Sequence, residues 1–211
     1  LGVTQFFSWA ALFLMWNYLK PLITSSFIDA AGTMVNTGAA ETWTGVLNAV
    51  YPVPACIASI FMTQIANRFG NKPVYAACLL SGALGYLGLT LIDNQYLMMI
   101  PMVFIGIAWA GILAMPYSIL SRAIDARSSG AYMGIFNFTI TIPQIVLGLI
   151  VCSIVGAVTN AILSGHNYAA LSAVEKVTVD RQAATWMIGI AALFMLLAAS
   201  SVIFVKEKET K

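Results

Sequence analysis

Charge is what this sequence has least of. Asp, Glu, Lys and Arg make up 9% of 211 residues, there is one histidine, and 60% of the chain is hydrophobic. Soluble domains carry about 25% charged residues, so this composition cannot clothe a water-facing surface, and the chain reads as a polytopic membrane protein. The net charge of +2, with no basic run interleaved with aromatics, excludes a nucleic-acid partner. The three cysteines, Cys56, Cys78 and Cys152, all lie in apolar runs; they read as small hydrophobes, with neither a disulfide nor a metal expected. Paired carboxylates, metal-spaced Cys/His clusters and phosphate-cradling glycine loops are all missing. No enzyme, no cofactor and no metal chemistry is therefore expected. The lone His166 stands in a polar GHNY stretch, which counts against an intramembrane serine protease, because that chemistry needs a histidine beside a serine within a span.

What is there is apolar length. A span needs about 20 apolar residues, and six stretches qualify: roughly 3–24, 44–66, 73–92, 96–119, 130–158 and 184–205. The first apolar run begins at Leu1 with no charged leader or cleavage site, so it reads as a span rather than a signal peptide, and the chain as a piece of something longer. Arg68 and Lys72 fall between spans two and three, Arg122 and Arg127 between four and five, and Lys206, Lys208 and Lys211 after six. Lys176 and Arg181 alone lie in loops of the opposite set. This bias puts both ends of the chain in the cytoplasm of a plasma (inner) membrane protein, with external segments at 25–43, 93–95 and about 159–183.

The polar residues inside the spans are unevenly shared. Spans one, two, four and five hold nearly all the amides, tryptophans and prolines, among them Gln5, Trp9, Asn48, Pro52, Trp109, Asn137 and Gln144, whereas spans three and six hold almost none. A pattern that repeats every three spans predicts a 3+3 bundle, in which a third helix backs two cavity-lining ones. Gly82, Gly85 and Gly88 give the third span small surfaces for close packing. In the stretch RSSGAYMGIFNFTITIPQI (Arg127 to Ile145), Asn137, Thr141 and Gln144 are spaced four and three apart and share one helical face, which Gly148 continues. Polar groups there need protein or water, so that face is expected to look inward, and Pro143 within it marks a bend.

Two stretches carry a resemblance. GAYMGIFNFTITIPQI (Gly130 to Ile145), preceded by GIAWAGILAMPYSIL (Gly106 to Leu120), resembles the second half of glycoside–pentoside–hexuronide:cation symporters of the major facilitator superfamily, close to the sucrose and maltose proton symporters. QFFSWAALFLMW (Gln5 to Trp16) looks like the first helix of that half, and NTGAAETWTGVLNAVY (Asn36 to Tyr51) like its first external loop and second helix. NRFGNK (Asn67 to Lys72) is similar to the superfamily's short cytoplasmic motif, usually D-R-x-G-R-K. The resemblance covers nearly the whole chain. It implies helices seven to twelve of a twelve-helix secondary transporter working by alternating access, with a first six-helix half as partner. It also implies a sugar or glycoside substrate, and a proton or sodium as coupling ion. Asn67 replaces the usual acid, so any charged gate latch there is weakened or moved to Arg68, beside Gly70 and Lys72. Lys20 stands where an uncharged residue is expected.

The residues themselves suit that chemistry. Gln5, Trp9, Trp16 and Lys20, at intervals of four, seven and four, share one face. Indoles stack on the CH faces of sugars and amides take their hydroxyls; the competing reading makes Trp16 an interfacial belt residue and Trp9 packing. Lys20 either snorkels to the surface or faces the cavity, where it would suit a uronate. Asn48 and Tyr51 precede Pro52 and Pro54, which bend a helix as gates require. Trp109 and Tyr117, flanking Pro116, either line the cavity or pack. Asn137, Thr141 and Gln144 either line it or bond between helices, at about 1 kcal/mol or less per contact. All eight acids (Asp29, Glu41, Asp93, Asp125, Glu175, Asp180, Glu207 and Glu209) fall in loops or near span ends. A proton path needs a titratable group, so the coupling site is expected in the partner half. A non-transporting scaffold or sensor on the same helices is the rival reading, as is a carrier of a non-sugar solute.

Overall fold

The computed structural model describes residues 1–123 and 129–205. Asp125, Arg127, Lys206, Glu207, Lys208, Glu209 and Lys211 lie outside the described residues, as does the side chain of Arg122. Among the described residues seven α-helices follow in order: α1 (Gly2–Thr24), α2 (Thr37–Val50), α3 (Pro52–Phe69), α4 (Asn71–Leu91), α5 (Met99–Ala123), α6 (Ser129–Leu163) and α7 (Ala173–Ser201). Among the described residues there is no strand, only an isolated bridge between Ile28 and Val35. Five stretches of the described residues are long and apolar enough to cross a membrane, one being α2 and α3 taken together as Thr37–Phe69. The sixth, α1, has 23 residues and carries Gln5, Asn17 and Lys20 within its apolar run; its Thr4, Gln5 and Ser8 are turned into the protein and buried. The chain is an all-α integral membrane protein.

Helix ends follow from caps rather than from the limits of the apolar runs. Asn36 accepts from the Ala39 amide and starts α2 at Thr37, so the expected external segment 25–43 is shorter and Glu41 is helical. Ser172 and Glu175 form a capping box that starts α7 at Ala173, well before the apolar run near 184, and the expected loop of about 159–183 shrinks accordingly. Pro52 ends α2 by removing a donor, yet is tolerated as the first residue of α3; span two is therefore one bent helix pair. Between α3 and α4 the chain turns at Gly70 with φ 89°, a left-handed conformation that a side chain would strain.

The packing repeats. α1 lies along α7 as α4 lies along α5; α3 packs on α5 as α6 packs on α1; and α4 and α7 pack on each other. Exchanging the first three spans with the last three maps this set onto itself, as a 3+3 bundle requires. α4 and α7 form the back layer, and α1 and α5 stand in front with few contacts between them. The outer side of the back layer shows Leu80, Leu84, Leu87 and Leu91 exposed at helical spacing. Close approach is made by glycine: a Cβ on Gly85 would stand 2.8 Å from the Pro101 carbonyl, and one on Gly111 2.4 Å from Cys78 Cβ. Without a hydrophobic drive between helices in lipid, such contacts carry the association.

A clasp joins the helix ends on the side away from Arg68 and Lys72. Arg181 on α7 donates to Ser25 Oγ at 2.6 Å and pairs with Asp93 after α4. Replacing Arg181 with Ala is expected to lower stability by about 1 kcal/mol, because exposed Asp93 rehydrates rather than being stranded. Thermal unfolding at low and high salt checks this; the difference from wild type should shrink at roughly 1 M salt.

Candidate functional site

The stripe on α1 lies along one face, but a different element covers each turn of it. Gln5 is fully buried: its Oε1 accepts from the Tyr75 hydroxyl of α4 at 3.1 Å and from Ser8 Oγ at 3.3 Å, while its Nε2 has no partner. Trp9 meets Trp109 of α5 at 5.6 Å between ring centroids. Trp16, 37% exposed, donates from Nε1 to the Tyr51 hydroxyl at 3.3 Å. Lys20 pairs with Glu41 of α2 at 2.6 Å. Gln5 therefore stands apart from the others, closed into the interior of the bundle, and Lys20 is exposed with its charge met by Glu41.

Four of the expected residues come together. Trp109 stands edge-on to Trp9, Trp16 and Tyr51, at 5.6, 5.9 and 6.0 Å between centroids, and Trp9 and Trp16 are 6.4 Å apart. Edge-to-face contacts at these distances hold rings in fixed orientation. The bend at Pro52 delivers Tyr51 to this cluster, with Gly106 allowing its backbone to approach α5. The Trp9 indole N–H is buried and has no hydrogen-bond partner. Unmade hydrogen bonds of buried donors are costly, which sets this N–H apart from the paired groups around it.

Two turns further along α5, Tyr117 donates to Asn137 Oδ1 of α6 at 3.2 Å and stacks edge-on to Phe136 at 5.3 Å. On α6 the buried side is Phe136, Pro143, Leu147 and Val151. Beside it run Asn137, Thr141, Gln144 and Gly148, and beyond them the exposed Ile135, Phe138, Ile142 and Leu149. Asn137 and Thr141 are exposed, while Gln144 is half-buried and donates to the Ile140 carbonyl of its own helix at 3.1 Å. Thr141 likewise donates to the Asn137 carbonyl at 3.3 Å, and Asn48 to that of Thr44 at 3.1 Å. Asn48 and Gln144 thus each spend an N–H locally, and Tyr117 with Asn137 is the polar pair that bridges α5 and α6.

Of the residues expected at the gates, Pro143 is buried within α6. Arg68, Gly70 and Lys72 frame the turn from α3 to α4. Glu41 and Tyr75, the partners of Lys20 and Gln5, were not expected in these roles; a carboxylate on the same membrane side as Lys20 was the available signal. No group of three or more His, Cys, Asp or Glu that could hold a metal occurs among the described residues. A family model, that of the Major Facilitator Superfamily, matches residues 1–211. No curated protein and no solved structure matches.

Proposed function

The chain belongs to the Major Facilitator Superfamily, a family of membrane transporters, and from that premise we propose that it is the C-terminal half of a glycoside–pentoside–hexuronide:cation symporter carrying a neutral sugar or glycoside by alternating access. The observation that carries this reading is the cluster of Trp9, Trp16, Tyr51 and Trp109, contributed by α1, the α2–α3 bend and α5. Fixed indole faces suit the CH faces of a pyranose. The unpartnered Trp9 N–H, the Tyr51 hydroxyl and the Asn137 amide suit its hydroxyls. The Lys20–Glu41 pair favours an uncharged substrate over a uronate, because the lysine's charge is already met.

Described acids support placing the coupling site elsewhere. Asp29, Glu41, Asp93, Glu175 and Asp180 lie between helices or within the first eight residues of one. A first six-helix half would then bind the proton or sodium while this half holds the sugar. With Arg68 and Lys72 facing the cytoplasm of a plasma membrane, the Lys20–Glu41 pair marks the external mouth.

Uptake of sucrose, maltose, a pentoside and a glucuronide by the full-length protein in proteoliposomes, with and without a proton or sodium gradient, tests the proposal. Gradient-driven accumulation of a neutral member is expected. No uptake of any of them would remove the substrate assignment and favour a scaffold or a carrier of another solute. In the same assay Lys20→Gln should change KM for a neutral glycoside by less than about threefold, in line with an exposed pair. A tenfold rise would give Lys20 to the substrate.

A further inference from the structure

α2 and α3 make one span interrupted by two prolines. Tyr51 between them keeps helical dihedrals, φ −65° and ψ −30°. Pro52 and Pro54, however, have no N–H to return to the Asn48 and Val50 carbonyls, and the bond from the Ala55 amide to the Tyr51 carbonyl is stretched to 3.4 Å. Within one turn the helical ladder is thus missing or weak at three carbonyls, which makes this the point at which the span bends. The two arms of the bend are held unequally. α3 packs along α5, where Gly106 lets the Tyr51 carbonyl and Pro54 come close. α2 buries only Ala40 and Leu47 of its 14 residues.

Two ties hold α2 against its neighbours. Glu41 pairs with Lys20 of α1 at 2.6 Å, both side chains being at least half exposed. The Trp43 indole donates to the Gln95 carbonyl ahead of α5 at 3.0 Å and stands edge-on to Tyr96 at 5.1 Å. An exposed ion pair biases an equilibrium by roughly fivefold at most, so the first tie is made and broken easily. Lys20 stands one turn, about 6 Å, beyond Trp16, so this pair joins α1 to α2 just above the most exposed ring of the aromatic cluster. We infer that α2 is a flap, hinged at Tyr51–Pro52 and latched by Lys20–Glu41, that swings on a fixed α3 to open and close the way to Trp16. Its motion is local to this half and is added to any rocking of the half as a whole. That the flap governs a substrate rests on the site proposed above; the hinge and the latch do not.

The test puts pairs of spin labels on the full-length protein, its own cysteines replaced, and reads their separation by double electron–electron resonance without substrate. Gly45→Cys on α2, where nothing lies within 4 Å of a Cβ, is paired with Leu84→Cys on the outer side of α4, an exposed position. Ile60→Cys, exposed on α3, paired with the same Leu84→Cys is the control. The Gly45 pair should give two distances and the Ile60 pair one. Lys20→Gln should shift the ratio of the two populations about threefold, and Lys20→Glu with Glu41→Lys should restore it. Pro52→Ala with Pro54→Ala should leave the Gly45 pair a single distance; if that variant does not fold, the charge-reversed pair decides. Rocking of the whole half leaves both separations unchanged and so cannot imitate this result. A single distance for the Gly45 pair, two distances that ignore Lys20, or equal spreading of both pairs overturns the proposal, the last because α2 and α3 would then move as one body. With no substrate present, failure of the sugar assignment in the uptake assay leaves these distances standing.

Discussion

Gly106→Ala is expected to be the most damaging single-methyl change in the chain. A Cβ at this position would lie 2.2 Å from the Tyr51 carbonyl oxygen and 2.5 Å from Pro54 Cγ. The obstacle is backbone at a proline bend, which has no rotamer to change, so α5 must move away from α3 along its length. Overpacking ordinarily costs about 1–3 kcal/mol and more where backbone must shift. We expect the upper end, with a melting temperature of the full-length protein lower by roughly 10 °C, or no monodisperse protein at all. Gly134→Ala supplies the control: nothing lies within 4 Å of a Cβ there, and the added methyl should leave thermal unfolding unchanged. Equal stability of Gly106→Ala and wild type would mean that α3 and α5 are not as close as described.

Gly106 also illustrates what was readable in the sequence and what was not. The six spans were readable, because about 20 apolar residues must be consecutive to satisfy lipid and the run itself is the signal. The 3+3 arrangement showed in the scarcity of amides and tryptophans in spans three and six, and the exchange symmetry of the helix packing agrees with it. Hydropathy could not reveal the first turns of α2 and α7, whose polar residues are held by Asn36 and by the Ser172–Glu175 box. Those caps were written in the sequence as N-x-x-A and S-x-x-E, but apolar run length was the stronger cue and hid them.

The α1 stripe is instructive in another way. Spacing placed Gln5, Trp9, Trp16 and Lys20 on one face, and the face is shared. Spacing carries no information about what stands opposite at each depth, and there the neighbours change from Tyr75 to Trp109 to Tyr51 to Glu41. Thus a single amphipathic stripe yields a buried hydrogen bond at one end, an aromatic cluster in the middle and an ion pair at the other. Tyr117 and Asn137 were each singled out from their own helices, but only the packed bundle makes them a pair.

The second large effect is expected at Trp16. Among the four clustered rings it is the most exposed, at 37%, whereas Trp9 and Tyr51 are buried against their neighbours. Removing it takes away the ring face most accessible to a substrate and frees the Tyr51 hydroxyl, without emptying the core. A tryptophan that anchors a ligand typically contributes 2 kcal/mol or more, so Trp16→Ala should raise KM for the proposed glycoside substrate about 30-fold while thermal stability falls little. Tyr51→Phe removes only the acceptor of the Trp16 N–H and should cost less than the full ring. Asn137→Ala breaks the link to Tyr117 across α5 and α6 and should weaken uptake without altering the coupling ratio, which is assigned to the other half. Three variants with wild-type KM, in protein that unfolds at the wild-type temperature, would show that the cluster is packing and that the sugar binds elsewhere. A rise confined to Trp16→Ala, with Tyr51→Phe intermediate, would place the sugar ring on the indole itself.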